Sequence, residues 1–394
     1  MRSGRRGRGV DGAALWGWLV RTAAAAIAAL CVACWLGPSQ SADFGTAKAG
    51  QRAAAKPMPA VGAQAGGANG SGAAGLAGAD RAAAGRAEAG ARASGSEPDP
   101  ATEITPDEIH DHIEVLASDA FEGREAGTAG ENRARNYITK VLGQHPELQP
   151  AGVDDTWFQP FPITLQGQPA EAHNIIARLP GSDPELSKQV IVVGAHYDHV
   201  GTGGQFSEAP ESTGQIHNGA DDNASGTSAI IEMARVASAD RGRFPRSLVF
   251  VAFAGEERGL LGSAHYTTVP PIPIDGTWAM LNLDMVGRAG GSVDISGMEV
   301  SPSMEQDLKA ASKIVSRLGI RREGPGAGRS DDSSFLDRQV PAINFFTGFH
   351  ADYHRPTDDW DKIDALGTKR VATLALEFAA QIAERPTKPE FNQK

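Results

Sequence analysis

Residues 189–199 read QVIVVGAHYDH, an apolar run of strand length that ends by delivering His196, Asp198 and His199. A short run of this kind fits a strand buried on both faces. Similar runs recur at NIIARL (174–179), SLVFVAF (247–253), WAMLNLDMV (278–286) and PAINFF (341–346). Helical patterns near 224–238, 259–267, 304–318 and 367–384 separate most of them. Such alternation predicts an α/β sandwich with a largely parallel central sheet. No internal repeat is present.

Polar residues interrupt these runs at their C-terminal ends, where ligands bind in open α/β sheets. His196, Glu256, Glu257 and Asp284 each lie at or just past such an end, and Asp221 sits in the Gly- and Asn-rich turn NGADDNASG before the helix near 224. Together with His354 in DYHRPTDD they offer two imidazoles and at least three carboxylates, a donor set suited to zinc-like ions. One catalytic zinc takes three protein ligands plus water, so a further carboxylate able to bridge points to a second metal. Taken singly these residues also have bland readings as surface turns or solvated loop charges. The pairs Asp221–Asp222 and Glu256–Glu257 abut apolar elements, however, and Asp284 lies inside LNLDMV, where an uncompensated carboxylate is costly. His199, His217 and His265 read as ordinary polar histidines, and His350 as lining the cleft.

Upstream, TPDE (105–108) supplies an N-cap Thr, a first-turn Pro and a capping-box Glu, with Ile109, Ile113 and Leu116 on one face. Thr128 to Glu131 forms a second capping box opening a helix through Tyr137 and Leu142. Before Thr105 the character changes. Residues 1–100 are rich in Ala and Gly and carry 11 Lys+Arg against 6 Asp+Glu, of 37 and 48 in the whole chain, which leaves the remainder at a formal −16. That balance argues against a nucleic-acid surface. Arg2, Arg5, Arg6 and Arg8 followed by the apolar run 22–37 resemble an export signal, too short and too weakly hydrophobic for a membrane span. The run ends in CVAC (31–34), similar to a lipoprotein cleavage box except for Cys31 in place of the usual Leu. Lipidation of Cys34, ordinary cleavage and an uncleaved anchor all stand open. The expected organisation is a signal at 1–37, a flexible linker at 38–100, a catalytic domain at 101–386 and a tail at 387–394. The catalytic body is expected to work outside the cytoplasm of a bacterium.

The ordered set HYD, GADDNASG, EE, LDM and YH resembles the co-catalytic zinc exopeptidases that include bacterial leucyl aminopeptidases and glutamate carboxypeptidase, over roughly residues 105–385. The resemblance implies a three-layer α/β/α sandwich of the phosphorylase/hydrolase-like type and two Zn2+ per subunit. One metal would take His196 and Asp284, the other Glu257 and His354, with Asp221 bridging and Asp222 following it across a cis peptide. Glu256 matches the general base, and Tyr353 a hydrogen-bond donor to the tetrahedral oxyanion. Asp198 and Asp358 match the carboxylates that support His196 and His354. RSDDSSF (329–335) departs from the Ser-Asp-His run of many relatives, and no protease-associated domain fits between FQPFPITLQG and Asn174.

The implied function is an aminopeptidase acting on peptides as a monomer. Carboxypeptidase action needs cationic groups, for which Arg288, Arg329 and Arg355 are the nearest. Amidohydrolases with a dimerisation lid need more residues than 285–353 provide. Glutaminyl cyclases share the fold but bind a single zinc, and a non-catalytic module would be expected to lose ligands or the base.

Overall fold

A computed structural model describes residues 102–324 and 330–392. The expected signal, linker and Cys34 lie outside them, as does Arg329. Among the described residues no helix is long and apolar enough to cross a membrane.

Nine strands form one mixed sheet. They are β1 Gln149–Pro150, β2 Phe158–Leu165, β3 Gln168–Leu179, β4 Val190–His196, β5 Ser247–Phe253, β6 Thr277–Leu283, β7 Ser292–Ser296, β8 Gly319–Arg322 and β9 Ala342–Phe346. Strands β5, β4, β6 and β9 lie side by side and parallel, while β3 and β7 join their outer edges antiparallel. Side chains alternate between two cores as the period of two requires. Ile191, Val193, Leu248, Phe250, Ala279 and Leu281 pack on one side with Ile109, Ile138, Ile230 and Leu374. Val190, Val192, Val249, Val251 and Met280 pack on the other with Tyr266 and Phe335. The first set belongs to helices α1 Pro106–Leu116, α2 Ala129–Leu142, α3 Gly226–Ala239 and α7 Ala365–Glu384. The second belongs to α4 Leu261–Thr268 and α6 Asp332–Leu336; α5 Glu305–Ser312 packs against α7. The three-layer α/β/α arrangement follows, and each large side chain so buried contributes about 1.5–3 kcal/mol.

Both predicted caps form. Thr105 accepts from the Glu108 amide at 3.2 Å, and Thr128 from that of Glu131 at 3.4 Å. The Glu131 carboxylate goes further, accepting from Gly127 N, His173 N and the Tyr197 hydroxyl, which ties the start of α2 to the end of β4. FQPFPITLQG contributes β2, Phe158–Leu165. Gln166 and Gly167, both at positive φ, turn β2 tightly back onto β3. Pro160 and Pro162 are tolerated because β2 pairs only with β3, and both point outward. The segment expected as a tail is tied down through Glu390 to Ser303 and Asn392 to Val300.

Register places the site. His196 pairs with Phe253, Gly194 with Asn282 and Leu283 with Phe345, so β4, β5, β6 and β9 end along one line. The chain leaves β4 for β5 on one side and returns past it to β6 on the other. The crevice at such a reversal of strand order is where α/β sheets bind ligands.

Candidate metal centre

Three strand ends and two turns converge on two groups of donors. In the first, His196 Nε2 lies 3.3 Å from Asp222 Oδ1 and 3.2 Å from Asp284 Oδ1. In the second, His354 Nε2 lies 3.0 Å from Asp222 Oδ2 and 2.9 Å from Glu257 Oε2, and His199 Nδ1 lies 2.8 Å from Glu257 Oε1. Asp222 therefore gives one oxygen to each group. Glu256 stands between them, within ligand reach of His196 and Glu257.

The outer contacts explain how the donors are held. His196 Nδ1 faces the Asp198 main-chain oxygen at 3.2 Å, and His354 Nδ1 faces Phe206 O at 2.6 Å, leaving Nε2 of each ring turned inward. Asn223 accepts from Gly226 N and Met285 N and donates to Leu283 O, which locks the 221–226 turn to the end of β6. Asp198 Oδ1 accepts from Glu256 N at 3.2 Å.

Three expectations need correction. Asp221, expected to bridge, is turned away: its carboxylate accepts from Gly287 N at 2.6 Å and Ser225 Oγ at 3.2 Å, and meets His350 Nε2 at 3.0 Å. Asp222 occupies the shared position instead, because consecutive side chains in this turn point to different sides. The cis peptide is one residue later than expected, at Asp222–Asn223. Asp358 does not touch His354; its Oδ2 accepts the Asp221 and Asp222 amides at 2.9 and 3.1 Å, while Oδ1 meets Arg288 at 3.1 Å. Asp198, by contrast, does face His196 as expected, its carboxylate 3.7 Å and its carbonyl oxygen 3.2 Å from Nδ1. Tyr353 stacks on His354 at 3.9 Å and stands edge-on to Phe349 at 4.9 Å, continuing an aromatic ladder from Phe346.

His199, given no role from sequence, is buried inside the second group. Its spacing of three from His196 is the only signal, and loop residues have no periodicity to expose it. His217 is an ordinary satisfied histidine, bonded to Ser207 and Gln215.

The groups fit divalent cations on two counts. Two donors bound at the tetrahedral angle to one zinc, at about 2.0–2.1 Å, stand about 3.3–3.4 Å apart; the His196 separations of 3.3 and 3.2 Å match this, and those around His354 and Glu257, 2.8–3.0 Å, are somewhat shorter. His354 Nε2 is buried without a hydrogen-bond partner although two carboxylate oxygens lie within 3.0 Å. The field also demands positive charge. Burial alone would lower the His354 imidazole, yet contact with Asp222 and Glu257 pushes it up to about 11. Burial, then Glu257, Asp284 and Asp331, holds the Glu256 carboxyl well above the usual carboxylate range against the opposing pull of His196.

One cation built into the fold escaped the sequence reading. Arg124 is buried and donates to Tyr197 O, Leu116 O, Asn218 O and Gly219 O at 2.6–2.9 Å, clamping the β4 exit to the turn before Asp221. Burial pushes its guanidinium down to about 10 against the upward pull of Asp198, Asp222, Asp358 and Glu257. Arg124→Met would strand four buried carbonyls and remove a charge facing four carboxylates. A loss of about 3–5 kcal/mol is expected from breaking such an arrangement. Urea unfolding measures it, and a shift under 1 kcal/mol (~) would show the clamp to be dispensable.

Residues 174–379, a little over half of the chain, match Peptidase family M28, and the chain belongs to that family. It is 29% identical over 244 residues to leupeptin-inactivating enzyme 1 of Streptomyces exfoliatus, a match covering 61% of this chain and 48% of that protein. It is 26% identical over 294 residues to a probable leucine aminopeptidase of Trichophyton verrucosum, covering 71% and 74%. The chain thus spans about half the length of the first relative and about three quarters of the second. Among solved structures, a zinc-dependent exopeptidase from Parabacteroides distasonis superposes with a TM-score of 0.60 at 21% identity, covering 71% of this chain and 99% of that one. Glutaminyl cyclase from Porphyromonas gingivalis does so with 0.59 at 19%, covering 71% and 98%. These likenesses carry the fold alone, since a cyclase and an exopeptidase share it.

Proposed function

We propose that this M28 member is a zinc-dependent aminopeptidase that removes N-terminal residues from peptides, with two Zn2+ per subunit joined by Asp222. His196 and Asp284 would hold one ion, and Glu257 and His354 the other. The observation that carries the reading is the single Asp222 carboxylate, whose Oδ1 faces His196 while its Oδ2 faces His354. A paired centre explains why both oxygens are engaged, whereas a single zinc needs only one.

Bound divalent ions supply Lewis acidity, which lowers the pKa of water and polarises a carbonyl. The chain does the rest. Glu256 takes the proton of the attacking water and returns it to the leaving nitrogen; ions held by Asp222, Asp284 and Glu257 would offset the carboxylates that keep the proton on Glu256. Tyr353 is kept protonated by burial and by Asp222, Glu257, Glu256 and Asp284, so its hydroxyl is a donor available to the developing oxyanion. Asp198 holds the Glu256 backbone and Asp358 that of Asp222. The ladder Phe346, Phe349, Tyr353 offers an apolar wall beside His354, suited to a leucine-like side chain.

Direction of attack follows from charge. The site gathers carboxylates, which welcome a free α-ammonium, whereas Arg288, a candidate for a terminal carboxylate, is already paired with Asp358 and Asp352. A dimerisation lid is not favoured either, because the described residues of 285–353 supply β7, α5, β8, α6 and β9. N-acetylating a leucyl peptide removes both the charge and the lone pair by which a free α-amine can be held, an expected loss of about 3 kcal/mol, equivalent to ~100-fold in kcat/KM. Amidating the C-terminus should change it less than about threefold. Equal hydrolysis of free and acetylated peptides would overturn aminopeptidase action. Action outside the cytoplasm rests on residues 1–37 alone.

A further inference from the structure

The two groups of donors are not equivalent, and the difference lies in His199. We infer that His199 is a fourth protein ligand of the group formed by Asp222, Glu257 and His354, bound through Nδ1; this rests on the two-metal reading above.

The geometry is that of a donor rather than a neighbour. His199 is 1% exposed, and a Cβ on Gly219 would come within 2.5 Å of its ring, so the imidazole has no other place to turn. It stands edge-on to His354, with centroids 5.3 Å apart and planes at 84°. Nδ1 lies 2.8 Å from Glu257 Oε1 and 3.9 Å from Asp222 Oδ2. One donor atom from each of His199, Asp222, Glu257 and His354 falls within 4.8 Å of the other three. Glu257 turns one oxygen to each imidazole, and His354 Nε2 is buried with no hydrogen-bond partner, as expected of rings arranged about a shared cation.

The consequence is a division of labour. Two imidazoles and two carboxylates make a four-donor set, the closed tetrahedral complement of a firmly held zinc. The other group, His196, Asp222 and Asp284, has three donors and one imidazole, leaving a position for substrate or water. Nitrogen-rich sets favour zinc-like ions over magnesium or manganese. The first equivalent of metal should therefore enter the His199 group, and the second the His196 group.

The competing role is a hydrogen bond: His199 donating from Nδ1 to Glu257 and orienting it. Asparagine separates the two, since its side-chain amide can donate from about the position of Nδ1 but is a poor ligand. Demetallated wild type, His199→Ala and His199→Asn would be titrated with Co2+, followed by calorimetry and by visible absorption, with circular dichroism confirming the fold of each. Wild type should take two equivalents, the first more tightly. Both variants should bind the first equivalent at least about 10–100-fold more weakly, a loss already typical of removing an outer-shell partner, with an altered absorption band. Binding of the second equivalent should change far less. Wild-type affinity and spectrum in His199→Asn would overturn the assignment in favour of the hydrogen bond, and the same result in His199→Ala would deny the residue either role. A wild type that takes fewer than two equivalents would sink the two-metal reading itself, which the variants do not test.

Discussion

Asp222→Ala is expected to empty both metal positions and to lower turnover by at least ~10³-fold, while Asp221→Asn keeps both metals. Each Asp222 oxygen serves a different imidazole, so truncation removes a ligand from both groups at once. It also leaves Glu257 and Asp284 facing their neighbours without the cations that offset them. Loss of Lewis acidity worth several kcal/mol, at about 1.4 kcal/mol per factor of ten, sets the size of the effect. Asp221 works differently. Its carboxylate closes the loop through Gly287 N and Ser225 Oγ, so the amide replacement should weaken folding and leave donor geometry close to intact. Metal analysis after dialysis, alongside kcat and a thermal melt, separates the two. If Asp221→Asn strips both metals and Asp222→Ala retains them, the shared ligand is Asp221 after all.

This pair also shows where sequence reading stops. The strands that carry the site were legible because each is a short apolar run: SLVFVAF coincides with β5, and PAINFF and QVIVVGA with β9 and β4 to within a residue. Strand direction then dictated that His196 and Asp284 meet, since both leave the sheet at the same edge. In ADDN the two carboxylates are adjacent in a turn, where no period assigns a side. Which one faces the centre depends on Asn223 and Asp358 gripping the backbone from β6 and the segment after His354, contacts separated by 60 and 136 positions.

The same reason hid Arg124 and His199. His199 lies in a loop and Arg124 ends a short 3-10 helix broken at Glu122 and Gly123, so neither has a regular period to place it, and each takes its meaning from partners brought together only by the fold. Arg124 reaches carbonyls on three separate segments, and nothing in EGRE predicts them. The supporting roles carried over by resemblance shifted least in position and most in target: Asp198 and Asp358 are buried against the centre, but they hold main-chain amides more than imidazoles.

Glu256→Gln should leave metal content at the wild-type level and lower kcat by ~10²–10⁴-fold, the contribution of a positioned general base, with KM changed little. Glutamine preserves the shape and the main-chain bond from Glu256 N to Asp198, so the turn that presents Glu257 is unaltered. What it cannot do is accept the water's proton. The expectation is sharp because Glu256 also lies within ligand reach of His196 and Glu257. Were it a ligand, the variant would bind one equivalent less, and the lost activity would follow the lost metal. Retained metal with lost turnover supports proton transfer, whereas near-wild-type kcat would remove Glu256 from the chemistry altogether. The two carboxylates of the Glu-Glu pair would then differ only in what they face: Glu257 the donor group with His354, and Glu256 the side of His196.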